Sequence, residues 1–328
     1  MKAIVYHKYG SPDVLELKDI DMPVVRDDGV LVRVHAASIN PLDWHFMRGA
    51  PYLVRMGAGL FKPKATRLGA DVAGRVEAVG KNVTQFQPGD EVFGTSKGAL
   101  AEYVCASEST VALKPANVTF EQAAAVPVAA VTALQGLRDK GHIQRGQKVL
   151  INGAAGGVGT FAVQIAKSVG AEVTGVCSTG NVDMVRSIGA DHVVDYIQAD
   201  FTQSGQRYDL IFDTVGNHSL ADYRRAMTTK GTLVMVGGSD KGRWLGPLKG
   251  MPKAVVLSRF VSRKMLPFLA HQRKDDLIVL RELLESGKVA PVIDRTYPLS
   301  EVPAAIRYLE EGHARGKVVI TMEPRSET

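Results

Sequence analysis

The sequence predicts an α/β protein in which a doubly wound parallel sheet is inserted into a β-rich domain, and three observations carry that prediction. Between residues 149 and 238, five short apolar runs alternate with helical patterns, the arrangement of a parallel sheet covered on both faces. From residue 30 to 104 the apolar and polar residues alternate instead, with turn clusters between the runs, as in an antiparallel, barrel-like domain. The last apolar run, residues 317–322, is again a strand and is expected to return to that first domain.

In the first domain the expected strands are residues 30–37, 72–79, 91–93 and 103–104. Asn82, Pro88-Gly89-Asp90 and Lys97-Gly98 supply the turns between them. In the inserted domain the strands begin at Val149, Ala171, His192, Leu210 and Leu233, with a short helix at residues 182–187. The domain assignment that follows is 1–118 plus 291–328 for the β-rich part and 119–290 for the parallel sheet.

The first strand of the inserted domain carries the strongest functional signal. Val149-Leu150-Ile151-Asn152 breaks into Gly153-Ala154-Ala155-Gly156-Gly157-Val158-Gly159, then resumes with the helical pattern Phe161, Val163, Ile165, Ala166. Such a strand, turn and helix offers unpaired backbone N–H groups and the positive end of a helix dipole to an anion, and small residues let a pyrophosphate approach the backbone. A dinucleotide site is therefore expected here, formed by Ala155, Gly156, Gly157, Val158 and Gly159. The strict glycine spacing is not met, because Ala154 stands in the first glycine's place, and a plain glycine-rich turn remains the alternative.

An NAD site usually carries an Asp or Glu about 20 residues past the glycines, to bind the ribose 2′-OH. The corresponding turn here is Cys177-Ser178-Thr179-Gly180-Asn181, which has no acid, and Arg186 follows. Hydroxyls and a guanidinium suit a 2′-phosphate, so NADPH is expected over NADH. The alternative is that Ser178 and Thr179 merely cap the next helix.

Composition narrows the function classes. The chain has 328 residues, of which 45% are hydrophobic, enough for a sizeable core, and no apolar run approaches the length of a membrane span. Cys105 and Cys177 are far apart and give neither a disulfide framework nor a zinc spacing, and no targeting segment is read at the N-terminus, so a cytoplasmic protein is expected. The net charge of +6 is local: residues 241–274 hold nine Lys and Arg and no acid. That basic segment also carries Trp244, Phe260 and Phe268, so it reads as a rim packed on the protein rather than a nucleic-acid or membrane surface.

With these pieces assembled, the chain resembles the medium-chain dehydrogenase/reductase superfamily, in its zinc-independent quinone oxidoreductase branch. The resemblance is carried by Ala37-Ser38-Ile39-Asn40-Pro41-Leu42-Asp43, by Leu68 through Val76, by Pro88 through Gly94, by Val126 through Leu134, by the Ala155–Gly159 turn and by Gly316-Lys317-Val318-Val319. It implies a GroES-like β-rich catalytic domain, a Rossmann domain, a cleft between them and a homodimer. Zinc-dependent members have a Cys at the start of the catalytic domain, a His-Glu pair and a four-cysteine lobe. Here Asn40 and Asp43 stand in the first neighbourhood, Asp71 in the second, and the lobe is missing. His35, His45 and Asp71 have no spacing that favours a metal, and none is expected.

The resemblance also implies contacts of Ser178, Thr179 and Tyr196 with the adenosine phosphate, of Thr132 with the nicotinamide, and of Val215 and Gly237 as wall and floor at the strand ends. Asn40 and Tyr52 are the implied polar groups for orienting a carbonyl or supplying a proton, with Asp43 either beside them or holding a loop. Tyr52 reads equally well as an amphipathic core residue. The expected function is NADPH-dependent reduction of quinones or α,β-unsaturated carbonyls by hydride transfer. The alternatives are an NAD(P)-dependent alcohol dehydrogenase and a cofactor-binding redox sensor with little turnover.

Overall fold

In the computed structural model, residues 1–236 and 263–322 are described. The chain divides into two compact units, Met1–Ala129 with Gln272–Ser286 and Pro291–Thr328, and Ala130–His271 with Gly287–Ala290.

The first unit opens with β1 (Lys2–Val5) paired antiparallel to β2 (Glu16–Asp19). Its main sheet is built on β3 (Gly29–Ile39), followed by α1 (Pro41–Arg48), α2 (Leu53–Ala58), β4 (Asp71–Val79), β5 (Glu91–Thr95), β6 (Tyr103–Ser107) and β7 (Val111–Leu113). β3 pairs antiparallel with both β4 and β6, and β4 with β5, so the expected strands form and pair as an antiparallel set. The interior is aliphatic, with Ile4, Val30, Val32, Val72 and Leu100 buried together. Short α3 (Phe120–Ala124) is closed by a capping box, in which Thr119 Oγ1 accepts from the Gln122 N–H and Gln122 Oε1 from the Thr119 N–H. α4 (Pro127–Gln135) follows.

The second unit alternates strand and helix: β8 (Lys148–Asn152), α5 (Gly157–Val169), β9 (Glu172–Cys177), α6 (Val182–Ser187), β10 (His192–Asp195), β11 (Tyr208–Asp213), α7 (Leu220–Ala226), β12 (Met227–Met235) and β13 (Lys264–Pro267). These six strands form one parallel sheet in the order β10-β9-β8-β11-β12-β13. The order reverses between β8 and β11, the place where such sheets open a crevice at their carboxyl ends. Every residue of α5 from Gly159 to Ala166 is buried; most are apolar or small, and the polar Thr160 and Gln164 are hydrogen-bonded to backbone carbonyls. β12 begins at Met227 rather than Leu233, as Tyr208 pairs with Met227 before the register shifts. The Arg263 guanidinium donates to the Met227 and Thr228 carbonyls and holds that polar start in place.

β14 (Ile293–Pro298) and β15 (Lys317–Thr321) complete the first unit's sheet, with β15 antiparallel to β3, and the final strand returns as expected. Gly237, Trp244 and Phe260 lie outside the described residues, as does most of the basic segment. Of its described part, Lys274 caps the Phe86 ring at 4.4 Å and donates to Gln85 Oε1 at 2.7 Å. Among the described residues no helix is long and apolar enough to cross a membrane.

The core of the first unit contains charge. Lys317 and Asp71, the first residues of β15 and β4, are 3% and 0% exposed and form an ion pair, Nζ to Oδ2 3.3 Å. Lys317 Nζ also donates to Asn40 Oδ1 at 2.6 Å and to the Ile39 carbonyl at 3.3 Å. Asp71 Oδ2 accepts from Ser38 Oγ at 2.7 Å and Asn40 Nδ2 at 2.8 Å, and its Oδ1 from the Val128 N–H at 2.8 Å. Alongside, Asp43 Oδ2 accepts from the Asn40 N–H at 2.8 Å and Oδ1 from the Gly69 N–H at 3.0 Å. Burial pushes the Asp43 carboxyl up to about 6, against the pull of those two backbone donors.

Two outcomes are expected. Lys317→Met leaves the Asp71 carboxylate buried without its cation and should cost about 3–5 kcal/mol in urea unfolding, part of which Asp71→Asn in the same chain restores. A full-strength loss in the double variant would show that the strand contacts, and not the charge, set the cost. The raised Asp43 carboxyl gives stability that is complete below its ordinary titration range and is lost as the pH rises through about 6. The unfolding free energy of the native chain minus that of Asp43→Asn should therefore fall by roughly 3 kcal/mol between about pH 4 and 7, and a flat difference would contradict the shift.

Candidate functional site

The turn after β8 is shaped by two glycines with different tasks. Gly153 has φ +85°, a left-handed conformation that carries the sharp exit from the strand. Ala154 therefore needs no special backbone, and its methyl group is accommodated beside Gly175 of β9, which explains why alanine serves in the first place of the fingerprint. At Gly159 a Cβ would lie 2.0 Å from the Gly153 carbonyl oxygen, so only glycine lets α5 approach the turn this closely.

Gly156 is the N-cap of α5 and has no side chain to close it. The Thr160 N–H reaches back to the Gly156 carbonyl at 2.9 Å, while Gly157, Val158 and Gly159 supply the N–H groups of the first turn, the positive end of a 13-residue helix. A Cβ at Gly156 would meet nothing nearer than the Gly153 oxygen at 3.5 Å, so the turn presents open space there. Ala155 is buried and Val158 half-buried beside it. Uncapped amides, a helix dipole and an open glycine face fit a pyrophosphate.

At the end of β9 Ser178 stands at the N-cap position of the short turn 179–181, and its hydroxyl makes no capping bond. It accepts from Asn181 Nδ2 at 3.0 Å, and Asn181 Oδ1 is buried with no partner among the described residues. Tyr196 is 57% exposed beside this turn, its N–H bonded to the Cys177 carbonyl at 3.0 Å. Arg186 pairs with Asp183, at 3.8 Å. The turn is not free of acid, as its sequence alone suggests. Asp195, the last residue of β10, lies in register with Cys177 and accepts the Thr179 hydroxyl proton at 2.6 Å. Cys177 itself is buried, and burial pushes its thiol up to about 11, so it is an inert core residue.

At the switch point the ends of β8 and β11 are joined by side chains that the sequence reading missed. Asn152 Nδ2 donates to Asp213 Oδ1 and to Asn217 Oδ1, each at 2.9 Å. Asp213, fully buried, also accepts from the Val215 and Gly216 N–H groups at 3.1 Å, which fixes the loop that presents Val215 at 38% exposure. Burial, and then the charge of Asp213, push the Tyr223 hydroxyl far up, so it stays protonated within this cluster. Thr132 lies buried on α4. A buried Asp preceding a Val-Gly turn at a strand end was the available signal for this cluster.

In the first unit the structure brings Asn40 and Asp43 together, with Asp71, Ser38 and Lys317 around them. The Asn40 carbonyl oxygen is committed to Lys317 and one N–H of its amide to Asp71, which leaves the second N–H to offer. Tyr52 belongs to a different group. Its ring lies 4.9 Å from the Arg55 guanidinium, which also stacks 4.5 Å over Tyr9 and donates to the Gly49 carbonyl at 2.9 Å. His35 stacks on Phe120 and His45 lies tilted against Trp44, and among the described residues no three His, Cys, Asp or Glu converge as metal ligands.

The Alcohol dehydrogenase GroES-like domain model matches residues 26–116, and the Zinc-binding dehydrogenase model matches residues 188–320. The chain is 37% identical to a 2-methylene-furan-3-one reductase of Solanum lycopersicum, over 98% of this chain and 79% of that protein. It is 36% identical, over the same shares, to a chloroplastic NADPH-dependent alkenal/one oxidoreductase of Arabidopsis thaliana. Among solved structures, the quinone oxidoreductase from Coxiella burnetii superposes with a TM-score of 0.87 at 31% identity, covering 98% of this chain and 99% of that one. With a six-stranded parallel sheet of the Rossmann order and a β-rich unit that the GroES-like model matches, the chain belongs to the medium-chain dehydrogenase/reductase superfamily, in its quinone oxidoreductase-like branch.

Proposed function

We propose that this chain is an NADPH-dependent oxidoreductase that reduces α,β-unsaturated carbonyls and quinones by hydride transfer, without a metal. The observation that carries the reading is the turn at the β8 end, whose uncapped amides and open Gly156 face fit a pyrophosphate. The names of the alkenal/one oxidoreductase and the furanone reductase support conjugated carbonyls as the substrate class and NADPH as the reductant.

When bound, the cofactor supplies the hydride, and the protein supplies position and electrostatics. Gly157, Val158 and Gly159 hold the pyrophosphate through their N–H groups, and Ser178, Thr179 and Tyr196 flank the adenosine end. Val215, held by Asp213, and Thr132 would take the nicotinamide end. The remaining Asn40 N–H orients the substrate carbonyl and stabilises negative charge that develops on its oxygen. Tyr52 donates the proton, and Asp43 holds the α1 entry that carries Asn40. The zinc-ligand neighbourhoods are filled by Asn40, Asp43 and Asp71, whose donor atoms are engaged with Lys317 and with backbone N–H groups. Their engagement supports metal-free catalysis.

The same reading makes residues 1–118 with 291–328 the catalytic domain and 119–290 the cofactor domain of a homodimer. Two free cysteines suit the reducing cytoplasm.

The test is oxidation of NADPH by chelator-treated protein across quinones, enones and simple aldehydes. Turnover confined to conjugated acceptors is the expected result, whereas turnover only on aldehydes or only after added zinc would establish an alcohol dehydrogenase. Tight binding with no turnover would establish a sensor. In the active enzyme, Asn40→Ala should lower kcat about 10²-fold with little change in the Kd for NADPH. Tyr52→Phe should lower kcat by a similar order, and unchanged turnover in both variants would assign the proton to solvent.

A further inference from the structure

The adenosine end of the proposed cofactor site is bordered by a carboxylate beside Thr179. Asp195 closes β10, one strand away from the turn that follows β9, and the parallel register sets it opposite Cys177. Its Oδ2 accepts from the Thr179 hydroxyl at 2.6 Å and from Gln198 Nε2 at 2.9 Å, and its Oδ1 from the Ile197 N–H at 3.0 Å. The Thr179 hydroxyl, above all, holds this carboxyl below its usual range, so it is ionised at neutral pH.

A threonine hydroxyl has one proton to give. Bonded to Asp195, Thr179 turns only oxygen lone pairs toward any anion. The Ser178 hydroxyl differs: it accepts from Asn181 and keeps its own proton. The charges point the same way. Arg186 is the cation of α6, and it is paired with Asp183 on its own helix. Two carboxylates, Asp183 and Asp195, therefore border a turn with one guanidinium.

We propose that Asp195 is a specificity-determining residue that lowers the preference for NADPH over NADH, by occupying the Thr179 proton and placing a negative charge beside the 2′ position of the adenosine ribose. The proposal rests on the cofactor site described under Proposed function. It does not reverse the preference; it limits it. A ribose 2′-OH meets an acceptor at Asp195 and loses nothing, whereas a 2′-phosphate meets a like charge.

The experiment is direct titration of the full-length protein with NADPH and, separately, with NADH, followed by the fluorescence of the bound nicotinamide. Asp195→Asn keeps an oxygen for the Ile197 N–H and removes the charge. It should tighten NADPH about tenfold while NADH changes less than about twofold, the size expected for one unit charge near a phosphate at a solvated surface. Asp195→Ala removes both charge and acceptor, and the NADPH-to-NADH ratio should rise there as well. An unchanged ratio in Asp195→Asn overturns the proposal, as does a rise confined to Asp195→Ala, which would make the residue a turn support only. If the native chain bound neither dinucleotide, the cofactor site itself would fall and this inference with it. Binding of both by the native chain, with a ratio indifferent to Asp195→Asn, would leave the site standing and remove the inference alone.

Discussion

The first unit depends on one ion pair buried in its core. Burying a lysine or an aspartate singly costs several kcal/mol, so neither Lys317 nor Asp71 is tolerated there without the other. The two lie 246 positions apart in the chain, and the pair forms only when β15 has come back to β3 past the whole inserted unit. Register follows from this. A slip of one residue would turn Val318, Val319 and Ile320 to the wrong faces and carry Lys317 away from Asp71. The pair also determines what Asn40 offers. With its oxygen on the ammonium and one N–H on the carboxylate, the amide has a single orientation, assigned by its partners on both sides.

The second unit uses the same economy at the carboxyl ends of its central strands, with different chemistry. Among the described residues Asp213 forms no ion pair; its Oδ1 accepts from Asn152 and from the two N–H groups of the turn that follows. Hydrogen bonds to a carboxylate from backbone N–H groups fix the backbone that makes them, so the loop bearing Val215 is shaped by a residue beneath it. In each unit a buried polar cluster thus does the positioning, and the residues that face outward are set by it.

How much of this was legible in the sequence depends on the range of the interaction. The parallel strands were readable because burial on both faces leaves an apolar run such as Val149-Leu150-Ile151, and the glycine turn because its spacing is local. The shift of the positive φ to Gly153, which explains Ala154, needed the backbone. The start of β12 at Met227 was hidden by its polar residues Thr228, Thr229 and Lys230, which pairing and Arg263 override. Lys317 and Asp71 each sat within a motif that was read, yet nothing local says that they meet. Asp195 was hidden in the same way: the sequence gives its place on a strand, but only the neighbouring strand's register brings it to Thr179.

That last case separates two parts of dinucleotide recognition. In the proposed site a pyrophosphate would be met by backbone N–H groups at the head of α5, and backbone does not change when side chains do; what the sequence must supply there is absence of side chain, which glycine spacing records. The ribose end proposed here is bordered by side chains on one strand, in the turn that follows its neighbour and on the short helix after that turn. Its charge balance is a sum over Ser178, Thr179, Arg186, Asp183 and Asp195, of which a rule about one position after the glycines counts a single term. A motif therefore reports that a dinucleotide binds far more securely than it reports which one, because the first depends on geometry within one turn and the second on electrostatics summed across the edge of a sheet.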